Sequence, residues 1–115
     1  MEDTISPSDD RPLSEQFRII AKRYVDAEAA AKILEELKTA RLSELIGDQM
    51  RQDATLPYNK AEQLVKSSTQ WQDYIRGMVD AKKIANRLKV QLEYIRMKHS
   101  EWMSAEATQR SERRL

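Results

Sequence analysis

The sequence predicts an all-α fold: an antiparallel hairpin of two long helices with a short helix between them, assembling into a larger helical bundle or coiled coil. Three observations carry this. Only two glycines and three prolines occur in 115 residues, so tight turns are few. Charged residues make up 34% and aromatics 6%, a composition dominated by good helix formers. Apolar residues recur at alternating spacings of three and four over two long stretches, which is a heptad seam.

The opening segment, residues 1–12, is acidic and polar and reads as disordered. Residues 13–115 read as one helical domain. Ser14 is a candidate N-cap for a first helix over about 15–52, with Glu15 well placed for the helix dipole. Its seam is Leu13, Phe17, Ile20, Tyr24, Ala27, Ala31 and Leu34. The seam then meets Lys38 and Arg41, and the apolar face resumes in a shifted register through Leu37, Leu42, Leu45 and Ile46. Such a shift marks a stutter or a change of packing partner.

Residues 53–68 form the connector, punctuated by Asp53, Thr55, Pro57 and Asn59. Inside it, Tyr58 to Lys66 has the pattern of a short helix. Ser67, Ser68 and Thr69 are cap candidates, and Thr69 with Gln72 fits a capping box. The last helix is expected over about 69–109, followed by a basic tail. Its seam is Trp71, Tyr74, Met78, Ala81, Ala85, Leu88, Leu92, Ile95, His99 and Trp102, interrupted by neither Pro nor Gly except Gly77.

The residues point away from catalysis. The sole histidine, His99, falls on the apolar seam, where a partly buried packing role is expected. The inward Glu-x-x-His pattern, the zinc-protease helix, a glycine-rich phosphate loop and a nucleophile elbow are all missing. No cysteine is present, so disulfides and thiolate metal sites are excluded. No catalytic residue, metal or cofactor is expected. No apolar run is long enough for a transmembrane helix, and MEDTISPSDD is unlike a secretory leader. A cytoplasmic protein without membrane contact is the expectation.

Charge is uneven. Residues 1–75 carry 10 basic and 14 acidic side chains, net −4, and residues 76–115 carry 10 basic and 5 acidic, net +5. Lys82, Lys89, Arg96 and Arg110 form a column beside the second seam, with Met103 in the remaining heptad place. Such a column can follow phosphates, and Trp102 with Arg96, Lys98 and Arg110 would set a stacking ring among cations. It can equally pair with Glu28 and Glu35, which flank the first seam seven residues apart. Antiparallel pairing then brings Glu35 opposite the Lys82–Lys89 region. Arg113 and Arg114 close the basic tail and suit either an acidic partner or a helix C-terminus.

A second set of apolar residues faces the other way. Val90, Tyr94 and Met97 lie at i, i+4 and i+7, off the main seam. On the first helix, Ala30, Ile33, Leu37 and Ala40 form a similar stripe. A two-helix hairpin cannot cover both faces of its helices, so a contact with further copies of the chain or with a partner protein is expected.

The C-terminal half resembles a known group. Lys60-Ala61-Glu62, Val65-Lys66-Ser67-Ser68, Tyr74-Ile75, Gly77-Met78-Val79, Tyr94-Ile95-Arg96-Met97-Lys98, Ser100-Glu101-Trp102, Ser104, Glu106-Ala107-Thr108, Arg110 and Arg114-Leu115 resemble a family of small helical proteins of tailed phages and prophages. His99 and Met103 depart from the family pattern, which has an aromatic and a polar residue there. The resemblance covers residues 60–115 and implies a place among phage recombination and single-strand-handling functions. It implies a non-catalytic accessory acting with phage or host proteins; direct single-strand binding through the Trp102 cations and a structural or host-inhibitory bundle are the alternatives.

Overall fold

The structure, a computed structural model, describes residues 10–114, so nearly all of the segment expected to be disordered lies outside the described residues. The fold is all-α, a helical hairpin and bundle of four helices: α1 (Leu13–Glu36), α2 (Lys38–Gln52), α3 (Tyr58–Lys66) and α4 (Thr69–Arg114).

The first corrections concern helix ends. α1 begins at Leu13, because the Pro12 carbonyl, and not Ser14, receives the first helical N–H groups, from Glu15 and Gln16, each at 3.0 Å. The single helix expected over 15–52 is two helices separated by Leu37. Leu37 has φ −85° and ψ −3°, so its ψ is well above the helical value. The Leu37 N–H still reaches the Ile33 carbonyl at 3.0 Å, and the Arg41 N–H reaches the Leu37 carbonyl at 2.9 Å. The Leu34 carbonyl between them accepts a hydrogen bond from the Tyr74 hydroxyl. That carbonyl belongs to the Lys38 N–H in an unbroken helix, so a side chain has entered the hydrogen-bond ladder. The shift in apolar register sits at this break.

The connector follows its turn chemistry. Asp53 Oδ1 accepts from the Thr55 N–H at 3.1 Å and the Thr55 hydroxyl at 2.6 Å, closing an Asx turn. Those bonds, the hydroxyl's first, hold the Asp53 carboxyl below its ordinary value. Pro57 caps α3 with extended backbone (φ −65°, ψ 150°), and α3 has the bounds the sequence indicates. The capping box of Thr69 and Gln72 is not formed. Ser68 is the cap: its carbonyl takes the Gln72 N–H at 3.1 Å, and its hydroxyl oxygen takes the Trp71 N–H at 3.3 Å. α4 then runs 46 residues, about 69 Å at 1.5 Å per residue. The basic tail is therefore the last turns of this helix rather than a separate segment.

The chain divides into two compact units. One is Ala27–Ile84, holding the second part of α1, all of α2 and α3, and the start of α4. Its core gathers Leu45 and Ile46 of α2, Ala61 and Val65 of α3, and Trp71 of α4. Ala61 is fully buried, and its small side chain lets α3 lie close on α2. Tyr74 stacks on Trp71, with ring centres 5.7 Å apart and planes 8° from parallel. Lys82 Nζ lies 2.7 Å from Glu35 Oε1, the antiparallel pairing expected from the charge columns.

The other unit comprises the residues before Ala27 and after Ile84. Ile19 and Ile20 are buried on α1, and Ala85, Leu88, Leu92 and Ile95 on α4. Ile19 lies off the expected seam, so the buried stripe of α1 is wider than a strict heptad. Gln16 is buried too, with its side-chain N–H group donating to the Arg11 carbonyl at 2.6 Å. The seam of α4 stays covered as far as Ile95 and then fails: His99 and Trp102 are exposed. The packing role expected of His99 is thus corrected. α1 begins at Leu13, and its first turn shares a cleft with these two rings without burying them.

Candidate functional site

Two surfaces of the second unit stand out, on different sides of α4. The first is a cleft of about 1040 Å³ where the start of α1 meets the C-terminal third of α4. Arg11, Pro12, Leu13 and Phe17 line it from one side, and Ile95, Arg96, His99 and Trp102 from the other. Its walls are mainly apolar, and its charged lining is cationic.

Within the cleft, the Arg96 guanidinium lies over the Phe17 ring at 5.5 Å, a cation–π contact. His99 and Trp102 stack with ring centres 6.2 Å apart and an angle of 27°. Trp102 is 54% exposed, so one large ring faces solvent beside the cations. The start of α1 is in the wall, which places the positive end of its dipole there.

The second surface is the reverse face of α4. Val90, Tyr94 and Met97 are exposed by 63%, 55% and 61%. They sit about 180° around the helix axis from Leu88, Leu92 and Ile95, given 100° per residue. The Lys98 ammonium lies 5.6 Å from the centre of the Tyr94 ring. In the other unit, Ile33 and Leu37 are likewise exposed.

The cations expected to act together are distributed. Arg96 and Trp102 share the cleft. Lys98 belongs to the Tyr94 face. Arg110 is held by Glu106 at 3.3 Å, one turn back. Lys82 is engaged by Glu35; that hydrogen bond, with the attraction of the ammonium, holds the Glu35 carboxyl below its ordinary value. Lys89 is exposed on α4, and Arg113 and Arg114 lie exposed in its last turn.

Sequence reasoning missed Arg11 and Phe17 as cleft residues. The signal was present: Phe17 is the sole phenylalanine, and antiparallel pairing from Glu35 and Lys82 carries it toward the His99–Trp102 region. Among the described residues, no group of His, Cys, Asp and Glu is arranged to hold a metal ion. No helix among them is long and apolar enough to cross a membrane. No protein-family model matches the chain, and no curated protein or solved structure matches it either.

Proposed function

We propose that the chain is a non-catalytic helical interaction protein that works through protein–protein contacts, first of all with further copies of itself. The carrying observation is the exposed stripe Val90, Tyr94 and Met97, three large apolar side chains aligned on the side of α4 opposite its buried residues. Scattered apolar residues are normal on a protein surface, but an aligned stripe is what a helix offers to another helix. Ile33 and Leu37 supply a second such contact on their own unit. The setting, as an accessory to phage DNA recombination or replication with phage or host partners, rests on the resemblance of residues 60–115.

Sedimentation and capture of partners from phage-infected cells test the reading together. The wild-type chain is expected to sediment as an oligomer. Tyr94→Asp places a charge in the middle of the stripe and should give a monomer with unchanged helical circular dichroism. Unchanged oligomeric state and unchanged partner capture in this variant would sink the proposal.

A further inference from the structure

We propose that the cleft at the start of α1 is a binding site for single-stranded nucleic acid, taking an unpaired base against Trp102 and its phosphate against Arg96. This site is separate from the Val90–Tyr94–Met97 stripe and does not depend on self-association.

The argument starts from what the cleft offers. Trp102 is more than half exposed, yet His99 stacks on it and limits its rotation. A large ring held by a neighbour and open to water is a ready platform for another flat ring, and every nucleobase has such a face. The order of residues then matters. Arg96 lies about two turns before Trp102, and its guanidinium carbon is 5.5 Å from the centre of the Phe17 ring. It lines the same cleft as the platform, and its planar fork of N–H donors suits a phosphate. Arg11 is also in the lining, and the α1 dipole adds positive potential at the same wall. Among the described residues that line the cleft the charged side chains are arginines, so a polyanion is the complementary ligand.

Size and continuity favour a strand over an isolated small molecule. The cleft, about 1040 Å³, lies at the upper end of the range for small-molecule sites. Lys89 lies one heptad before Arg96 on the same side of α4, roughly 10 Å away at the helical rise. The two cations can follow successive backbone phosphates while a base enters the cleft. A duplex keeps its base faces stacked inside and offers nothing to the Trp102 ring. An acidic peptide satisfies the cations but leaves the ring platform unused.

Fluorescence anisotropy of a labelled oligothymidylate of roughly a dozen nucleotides, within the usual site size of single-strand binders, provides the test. Saturable binding that weakens steeply with added salt is expected. Trp102→Ala and Arg96→Gln should each weaken it about tenfold, whereas Trp102→Phe, which keeps a stacking ring, should stay near wild type. Both residues are exposed, so each variant should keep its helicity, which circular dichroism checks. Tyr94→Asp should leave binding unchanged, which separates this site from the interaction stripe. The proposal is overturned if no saturable binding occurs at low salt, or if the Trp102 and Arg96 variants bind like wild type. A duplex bound as tightly as the single strand overturns it as well. So does displacement by polyglutamate as readily as by unlabelled strand, which would assign the cleft to acidic peptides. Displacement by thymidine monophosphate at equal nucleotide concentration would assign it to a free nucleotide.

Discussion

In an unbroken helix the Leu34 carbonyl would receive the N–H of Lys38. Here the Tyr74 hydroxyl, 40 residues further along the chain, donates to it. A half-buried phenol needs a partner, and a helical carbonyl at a break supplies one. Glu35, the next residue, illustrates a weaker kind of bond. Its carboxylate and the Lys82 ammonium are both substantially exposed, so the pair adds little and is screened by salt. Its sign is nevertheless definite. The folded carboxyl is lowered from an ordinary 4.5 by the Lys82 hydrogen bond, so its stabilisation is complete above that value. It is lost as pH falls through the lowered folded value. Thermal melts of Glu35→Gln and wild type should therefore differ at neutral pH and converge as acid takes the pH below that lowered folded value. A difference that persists or grows at low pH would contradict this origin.

Each helix shows what spacing encodes and what it omits. The seam of α4 was legible from Trp71 to Ile95 because every one of those positions has a helix to pack on. It misplaced His99 and Trp102 because periodicity reports which face a residue shares, not whether a partner reaches it. The break at Leu37 was legible only as a change of register. Its cause, a tyrosine distant in sequence, has no local signature. α3 was fixed by Pro57 at one end and the serines at the other, both local devices, and its bounds came out as read. The cap of α4 was displaced by one residue because Ser68 and Thr69 have the same chemistry, and only the backbone decides between them. Gly77 gives this scale its prediction. It lies inside α4 with helical φ, and a Cβ there would meet nothing within 4 Å. Gly77→Ala should stabilise the chain by about 0.5–1 kcal/mol in urea titrations, through helix propensity and a less free unfolded chain. A loss of stability would mean that the glycine serves a contact on that face.

For the molecule as a whole, the two units draw on different resources. The unit Ala27–Ile84 has three helices around one core, and Ile46 within it is almost wholly removed from water. In the other unit cover ends near Ile95, and the last turns of α4 hold together by their own hydrogen bonds and pairs such as Arg110 with Glu106. A helical stretch of about 12 residues without packing is marginal in water. Amide hydrogen exchange should therefore be much faster beyond Trp102 than between Met78 and Leu92, on the same helix. Equal protection along α4 would show that something covers its end in solution, as self-association or a bound strand would. The all-α class and the pairing of Glu35 with Lys82 could be read in advance, since both follow from spacing and charge. The cleft could not, because it exists only where one helix starts and the other continues past it.

The placement of the two tryptophans gives each unit an optical reporter of its own. Trp71 is buried in the core of one unit and emits as an indole shielded from water, whereas Trp102 in the other faces solvent. A chain lacking Trp102 reports on the three-helix core alone, and a chain lacking Trp71 reports on the end of α4. Light from a single residue type thus separates melting of the interior from events at the cleft, with no label attached.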